Sequence, residues 1–497
     1  MLTDARTLPD GTAFSPDLAI IGGGPAGIAL ALQLADGKRN ILLISAGGLE
    51  FDRAVQDLYA GQASEYVPLE AGRLRYLGGG TNHWGGWCRP LDPQDFEARD
   101  WVLHSGWPIT RKALEPYYPK AQQLVEAGPW LYDQGGTARA AAHGAILPLG
   151  DGGLYTSWFQ FSKTRGGVLP TPFGLRYADD LKRAPGLNLL HDANITAIRL
   201  APDAQRVARL DAVTLNGKRI TVTPRVTVLA AGGMENARLL LASNDVMTAG
   251  IGNQNDLVGR FFGDNPVPRD VATLVSFGGR PGPFYSSNLN MGDGAILRAV
   301  FAVSAEFARK SRCLGSLTTV EYPVELDDAG KAAVATTAAA LGVDASGARA
   351  YSLGCGLELM PDPNRRLVLT GEKDALGMPR LKLNMHIADT DFSLYRRTLV
   401  ELGRQLLASK AGMLRINKHS RADWMATMDW GHHHIGTTRM GHDPRTSVVD
   451  ADLRVHGLGN LFVTGSSTFP TYGASNPTLN LIAVTLRLGD HLKKVLA

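Results

Sequence analysis

A short apolar run that leads into a glycine-rich turn and then a helical pattern constrains the fold of this chain most. The run is Leu18–Ile21, continuous as in a buried parallel strand, and it is followed in a G-x-G-x-x-G pattern by Gly22, Gly24 and Gly27. Apolar residues then recur at helical spacing over residues 28–35. This order predicts a dinucleotide-binding βαβ unit rather than an ordinary glycine-rich turn. In such a unit Gly22 permits the tight turn, Gly24 lets the backbone approach a pyrophosphate, and Gly27 lets the helix pack on the strand.

A second apolar strand, Ile41–Ile44, is predicted at the expected distance, and the residue after it is Ser45. Dinucleotide-binding units place an acidic residue near this point to hold the ribose hydroxyls. The acid is missing here. A small residue can indicate NADP, but that interpretation needs an arginine nearby, and Arg39 precedes the strand instead of following it.

A second glycine cluster spans residues 77–87 and reads LGGGTNHWGGW. It contributes to a content of 57 glycines in 497 residues, about 11% against a typical value of about 7%. The segment has too many glycines for a regular element and is too aromatic for a linker, so it predicts a loop pressed against a flat group. The alternative is a tight turn that buries Trp84 and Trp87 in the core.

Near the carboxyl end, three adjacent histidines, His432, His433 and His434, suggest a metal site, because histidine is a common metal ligand. Neighbouring positions on a strand point to opposite faces, however, and no HExxH pattern or carboxylate cluster completes a site. We therefore predict no metal and a single histidine base, with the other two histidines packing around it.

A helix start follows at Asn476 and Pro477, an N-cap residue and a proline at the first helical position. The start of such a helix offers free N–H groups and a partial positive charge to an anion, and an anionic reduced flavin would suit that place. The alternative is an ordinary capped surface helix.

The composition excludes several classes of protein. With 51 Lys and Arg against 47 Asp and Glu the net charge is +4, and no run of five or more Lys or Arg offers a nucleic-acid surface. The scattered cysteines Cys88, Cys313 and Cys355 indicate neither a disulfide framework nor a zinc site. The first 17 residues lack a signal-peptide pattern, and no apolar run reaches the roughly 18 residues of a membrane span. We therefore predict a soluble, cytoplasmic protein with no nucleic-acid partner and no membrane span.

The middle of the chain carries weaker patterns. Alternating residues predict strands over 194–198, 221–223 and 226–229, and helical spacing follows over 236–241. Residues 328–347 are rich in alanine and predict a peripheral loop or a short exposed helix.

Six patterns, in order along essentially the whole chain, resemble the glucose–methanol–choline (GMC) family of FAD oxidoreductases. They are GGGPAGIALA from residue 22; residues 78–86 with Arg89 and Pro90; residues 106–109 followed by 114–118; residues 230–240; residues 374–379; and the tail from His433 to Thr478. Each pattern is weak alone, but the ordered set is specific.

The resemblance implies an α/β fold. A Rossmann-like FAD-binding domain would be interleaved with an α+β substrate domain that contains an antiparallel sheet. The FAD-binding domain would comprise residues 15–90, 180–268 and 428–497, and the substrate domain residues 91–179 and 269–427.

The resemblance also implies the site residues. The family's catalytic base, three positions before a Gly-Thr pair, corresponds to His433, and its partner corresponds to Asn476. The cofactor-binding positions correspond to Gly22, Gly24, Pro25, Ala26, Gly27, Ser45, Gly79, Gly80, Thr81, Asn82, His83, Trp84, Gly85, Ile195, Ala231, Gly232, Gly465, Ser466, Asn476, Pro477 and Thr478.

The His433–Asn476 combination, with Gly465 in place of the commoner Asp, is more similar to the pyranose oxidase and sugar dehydrogenase branch. In pyranose oxidases a His-Trp pair of the flavin loop carries a covalent link to FAD, and His83-Trp84 stands at the matching place.

Two departures from the family concern Ser45 and Asn265. Ser45 replaces the glutamate that holds the adenosine ribose, which puts that hydrogen bond in doubt. Asn265 stands where the family often has histidine, and we assign it no catalytic role.

The implied function is FAD-dependent oxidation of an alcohol group of a sugar, glycoside or polyol. Hydride passes to flavin N5 with His433 as base, and electrons pass on to O₂, a quinone or a redox protein. Two alternatives stay open, an aliphatic or aromatic alcohol dehydrogenase of the same family and a lyase that retains FAD only structurally. The sequence leaves the oxidised carbon and the oligomeric state open.

Overall fold

The computed structural model describes residues 1–165 and 169–497. The strands of the first half are β1 Leu2–Asp4, β2 Thr12–Phe14, β3 Leu18–Ile21, β4 Ile41–Ile44, β5 Gln62–Ser64, β6 Trp87–Cys88, β7 Leu154–Phe161, β8 Thr164–Arg165, β9 Leu169–Pro170, β10 Leu187–His191, β11 Asn194–Leu200, β12 Val207–Val213, β13 Arg219–Val222 and β14 Val226–Leu229. The strands of the second half are β15 Pro266–Pro268, β16 Ala272–Ser276, β17 Leu289–Asn290, β18 Ile296–Val303, β19 Ser316–Val324, β20 Arg349–Leu357, β21 Arg366–Lys373, β22 Pro379–Asn384, β23 Gly412–Ile416, β24 Met428–Trp430 and β25 Leu461–Val463. The helices are α1 Pro25–Leu34, α2 Arg53–Gln56, α3 Tyr118–Leu124, α4 Gln134–Ala141, α5 Phe173–Arg183, α6 Gly233–Ala242, α7 Ala305–Ser311, α8 Asp328–Leu341, α9 Asp389–Ala408, α10 Arg421–Met425 and α11 Pro477–Val495.

A parallel sheet forms one layer, with the strand order β1-β10-β4-β3-β14-β25. Every residue of β3, β4 and β14 is buried, as expected for continuous apolar runs covered on both faces. Helix α11 packs beside α1, where the Gln33 side chain donates to the carbonyl oxygen of Leu486 at 2.9 Å. The predicted βαβ unit is present, since α1 begins directly after the glycine turn.

An antiparallel sheet forms a second layer, with the strand order β23-β16-β20-β19-β18-β7-β6, and β17 pairs with β18. Most of its strands come from the middle of the chain, and Trp87 and Cys88 of β6 join it from the glycine cluster. The two layers confirm the predicted fold class, a Rossmann-like parallel sheet together with a separate antiparallel sheet. The division into two interleaved domains stays a prediction.

A short antiparallel pair, β15 with β24, connects distant parts of the chain. Pro266 lies opposite Trp430, and Pro268 lies opposite Met428. Beyond this pair, and shifted from its register by two residues, an isolated antiparallel bridge joins Gly263 to Ile435. The pair therefore holds the segment before β15 alongside the three histidines that follow β24.

The middle segments largely follow the sequence patterns. The predicted strands coincide with β11, β13 and β14, and the predicted helix over 236–241 lies within α6. The alanine-rich segment forms α8, which the Asp327 side chain caps by accepting from the N–H of Gly330 at 2.7 Å. In the described ranges, no helix combines the length and the apolar character needed to cross a bilayer.

Candidate functional site

A cavity of about 810 Å³ lies at the carboxyl ends of β3, β4 and β14, and residues of β18, β19 and β20 also line it. Crevices outside the carboxyl ends of parallel strands are the usual ligand sites of open α/β sheets. The volume lies within the range of small-molecule and cofactor sites.

Nearly all the residues predicted from the family resemblance converge on this cavity. The positions that line it are Gly22, Gly24, Pro25, Ala26, Ser45, Gly79, Gly80, Thr81, His83, Trp84, Gly85, Ile195, Ala231, Gly232, His433, Gly465, Ser466, Asn476, Pro477 and Thr478. Gly27 and Asn82 are the two predicted positions that lie behind the lining. The Asn82 amide donates to the carbonyl oxygen of Leu77 at 2.9 Å and so braces the glycine loop from within.

The three fingerprint glycines have two different roles in the structure. A Cβ atom at Gly22 would clash with the carbonyl oxygen of Ala230, and one at Gly27 would clash with that of Gly22. These two glycines therefore permit close backbone packing. A Cβ atom at Gly24 would instead meet no atom of residues 1–165 or 169–497 within 4 Å, because it would point into the cavity.

Other glycines extend this cradle. Gly80, Gly232 and Gly465 line the cavity, and no described atom lies within 4 Å of a Cβ built at any of them. Gly232 and Gly465 also have positive φ angles of 89° and 108°, which side-chain-bearing residues rarely adopt. The cradle therefore lets the backbone approach an extended ligand closely and fits a dinucleotide such as FAD.

Ser45 lies buried at the end of β4, at the ribose position. Its hydroxyl donates to the carbonyl oxygen of Gly47 at 2.9 Å, and a Cβ at Gly23 would approach the hydroxyl oxygen to 2.9 Å. The side chain is thus engaged with its own loop and packed against the fingerprint. It offers no carboxylate to the ribose.

Buried charges surround the cavity at Arg73, Arg75 and Glu235, which all line it. Glu235 accepts hydrogen bonds from both arginines, at 3.3 and 3.2 Å, and from Arg238 at 3.2 Å. Burial alone would raise the pKa of Glu235, but the three guanidinium groups lower it to about 2. The network stays ionised and presents more positive than negative groups, which suits an anionic ligand. The sequence pattern did not single out these arginines.

His433 lies in the lining and is held at both ring nitrogens. Its Nδ1 is 2.7 Å from Oδ1 of Asn265, and its Nε2 is 3.2 Å from Nδ2 of Asn476. The Asn265 amide donates to the carbonyl oxygens of Leu357 at 2.8 Å and Gly473 at 3.3 Å, which fixes its oxygen toward His433. His433 Nδ1 must therefore carry the proton, and Nε2 accepts from Asn476.

The protonation of His433 follows from its surroundings. Burial, with a further contribution from His432, lowers the pKa of His433 to about 3, so the ring is neutral near neutral pH. Burial also raises the pKa of Asp264 to about 7. The Asp264 carboxyl accepts from the backbone N–H of His433 at 2.8 Å and from the Tyr66 hydroxyl at 2.5 Å. Asp264 thus holds the backbone at His433 in place.

The expected arrangement of the three histidines on a strand is wrong. Strand β24 ends at Trp430, and His432 has a φ of 57°, so the segment turns there. The reason is local. The backbone N–H of His433 donates to the Asp264 carboxyl and not to the carbonyl of a neighbouring strand. In the described structure His432 Nδ1 and His434 Nε2 are buried without hydrogen-bond partners.

Asn265 and Asp264, like the two arginines, are site residues that the sequence alone does not reveal. Their motif, Gly263 to Pro266, stands out in the sequence, but it gives Asn265 no role. The signal that identifies them is the pairing of β15 with β24, which brings positions 168 residues apart together and which no local pattern shows.

The chain is similar to known proteins over most of its length. Residues 361–485 match the family model described as GMC oxidoreductase. The fructose dehydrogenase large subunit of Gluconobacter japonicus is 26% identical over 96% of this chain and 97% of its own length. The 2-methyl-1,2-propanediol dehydrogenase of Mycolicibacterium austroafricanum is 24% identical, with 97% and 96% covered. The 6'''-hydroxyparomomycin C oxidase of Streptomyces lividus is 26% identical, with 97% and 92% covered.

Solved structures share the fold. Pyridoxine 4-oxidase from Mesorbium loti aligns with a TM-score of 0.57 at 20% identity, covering 96% of this chain and 99% of its own. Formate oxidase aligns with a TM-score of 0.58 at 17% identity, covering 99% and 100%. With the ordered motifs and the glycine cradle, these similarities show that residues 361–485 match the GMC oxidoreductase family, which implies FAD as the cofactor, and that the chain is an oxidoreductase acting on CH–OH donors.

Proposed function

We propose that this chain oxidises an alcohol group of a sugar, glycoside or polyol to the carbonyl. The observation that carries the proposal is the neutral His433, whose unprotonated Nε2 lies beside the Asn476 amide in the cofactor cavity. The names of two relatives, a fructose dehydrogenase and an aminoglycoside oxidase, support a carbohydrate substrate.

The residues of the chain supply base, orientation and charge. Bound FAD supplies the acceptor for the hydride that leaves the carbinol carbon. His433 Nε2 accepts the hydroxyl proton, and the Asn476 amide donates a hydrogen bond to the oxygen that loses it. The amino end of α11, with Pro477 and Thr478 in the lining, directs its positive dipole end into the cavity and stabilises negative charge there.

Asn265 acts as a positioning residue for this base, because its oxygen selects the tautomer with the proton on Nδ1. Replacing Asn265 by leucine should lower the rate of anaerobic flavin reduction about 10- to 100-fold. Asn265→Asp keeps an acceptor and adds negative charge, which stabilises the imidazolium and raises the pKa of His433. The acid limb of kcat/KM should therefore move to higher pH while most of the rate returns. An unchanged rate in the leucine variant would remove Asn265 from this role.

The position of His83 in the cavity lining, together with the resemblance to pyranose oxidases, supports a covalent link from this ring to FAD. Acid precipitation of the holoenzyme should leave the yellow colour in the pellet. The His83→Ala protein should release it to the supernatant. Complete release from the unmodified protein would refute the link.

The function is tested by adding sugars, glycosides, polyols and simple alcohols anaerobically and following the visible absorption of the oxidised flavin. We expect polyhydroxylated substrates to bleach it, and subsequent addition of O₂ or a quinone to restore it. A second candidate is a simple diol or monoalcohol, which the similarity to 2-methyl-1,2-propanediol dehydrogenase favours. If no alcohol bleaches a flavin that light still reduces, the proposed function is wrong.

A further inference from the structure

Strand β19 carries polar side chains into the cavity from the side of the antiparallel sheet. Leu317, Thr319 and Glu321 alternate along this strand and all line the cavity. On the neighbouring strand β18, Arg298 lines it as well, paired directly opposite Phe159 of β7. A few converging polar groups in a largely apolar lining are what orients a small ligand.

Two glycines of β20 leave room for the side chains of Thr319 and Glu321. Gly354 lies opposite Thr319, and a Cβ there would come within 2.6 Å of the Glu321 carboxylate. Gly356 lies opposite Leu317 and lines the cavity, and no atom in the described ranges lies within 4 Å of a Cβ built there. A larger residue at position 354 would displace the Glu321 carboxylate, and one at position 356 would fill part of the cavity. The two glycines of β20 thus leave the Glu321 carboxylate of β19 next to open volume.

Glu321 is a defined acceptor. Its Oε1 accepts from the Thr319 hydroxyl at 2.7 Å, and its Oε2 lies 3.4 Å from the Arg269 guanidinium. Arg269 is about half exposed and is shared with Asp429, so it only partly neutralises Glu321. Lone pairs of the carboxylate stay available to a ligand that donates hydrogen bonds.

Arg298 is the complementary donor. One of its terminal nitrogens donates to the carbonyl oxygen of Val320 at 2.8 Å, and the guanidinium carbon lies 5.3 Å from the centre of the Trp87 ring. Its Nε is buried and has no partner among the described residues. Burial lowers the pKa of Arg298, and the charge of Glu321 partly offsets that effect. A guanidinium carries more N–H groups than the Val320 carbonyl engages, and the accessible ones can donate to a ligand oxygen.

The combination of donor and acceptor defines the ligand. A carboxylate alone would favour an amine, and a guanidinium alone would favour an acid, whereas hydroxyl groups donate to one and accept from the other. Trp87 and Phe159, whose rings meet edge to face at 5.0 Å, add an apolar surface for the C–H face of a sugar ring. We propose that Arg298 and Glu321, with Thr319 in support, form a hydroxyl clamp that selects a neutral polyhydroxylated substrate over a simple alcohol. This inference rests on the proposed function.

The clamp is tested by comparing Glu321→Gln and Arg298→Leu with the unmodified holoenzyme on the best polyol from the screen and on 1-butanol. Each variant should lower kcat/KM for the polyol about 10- to 100-fold, mainly through KM, since a buried hydrogen bond to a charged group is lost. The value for 1-butanol should stay within about twofold. Thr319→Val should have a smaller effect in the same direction. Glu325→Gln is the matched control, because Glu325 is exposed just beyond the end of β19.

Several outcomes would overturn the clamp. Equal losses on the polyol and 1-butanol, or an unchanged polyol KM in Glu321→Gln, would show that these groups do not select hydroxyls. A Glu321→Gln loss confined to amino sugars would show a cation site instead. If the unmodified enzyme oxidises 1-butanol but no polyol, alcohol oxidation stands and the clamp is wrong. If it oxidises no alcohol at all, both the proposed function and the clamp are wrong. Flavin content and thermal unfolding of each holoenzyme variant show that it is folded.

Discussion

The His433→Ala protein should reduce its flavin with an alcohol substrate about 10³-fold more slowly than the unmodified enzyme. The ring supplies the acceptor for the hydroxyl proton, and losing a positioned general base of this kind costs about 10²- to 10⁴-fold. The Asn476 amide stays in place but cannot accept a proton, so it does not restore the rate. The measurement is the single-turnover rate of anaerobic bleaching at saturating substrate.

Two controls make this result specific to the base. His442→Ala removes an exposed histidine nine positions away and should leave the rate unchanged. Photoreduction of the His433→Ala flavin should proceed normally, which shows that the cofactor is bound and reducible. A bleaching rate within about threefold of the unmodified enzyme would exclude His433 as the base.

The second large effect is expected at Gly24, where valine should abolish tight FAD binding without unfolding the protein. The backbone at Gly24 has a φ of −83°, which valine tolerates, and its Cβ would face the cavity. Because that side chain would occupy space in the cofactor cradle, FAD affinity should fall at least about 100-fold. The dissociation constant is measured by titrating apoprotein with FAD in the His83→Ala background, which keeps binding reversible.

Matched variants separate the cradle from general damage. Gly278→Val places the same side chain in open space at an exposed position outside the cavity lining and should leave FAD affinity unchanged. Gly27→Ala should destabilise the apoprotein itself, since its Cβ would clash with the Gly22 carbonyl. The idea fails if Gly24→Val binds FAD normally, or if its apoprotein unfolds as readily as that of Gly27→Ala.

The parts of this molecule that are local in sequence were predictable. The strand, glycine turn and helix of the βαβ unit lie within 17 residues, and their periodicity and glycine spacing carry the information. The start of α11 is equally local, because an N-cap and a proline mark it. The Gly232 turn at the head of α6 also follows from such a local pattern.

The parts that depend on strand pairing were not predictable. Asn265 and His433 contact each other because β15 pairs with β24. No local sequence pattern near either residue predicts that strand pairing. Glu321 and Arg298 lie on adjacent strands whose register is set by the whole antiparallel sheet. Without that register the alternating residues of β19 read as an ordinary strand.

The pairing of β15 with β24 also means that this site can be completed only late in synthesis, because β24 lies far beyond β15 in the chain. Asn265 leaves the ribosome long before His433, and Asn476 follows later still. The His433 ring therefore gains both of its partners only after the late segments have docked. The cradle too is completed late, by Gly465 and the head of α11. A nascent chain that has folded its first βαβ unit therefore cannot turn over substrate, and catalytic activity reports the completion of the fold.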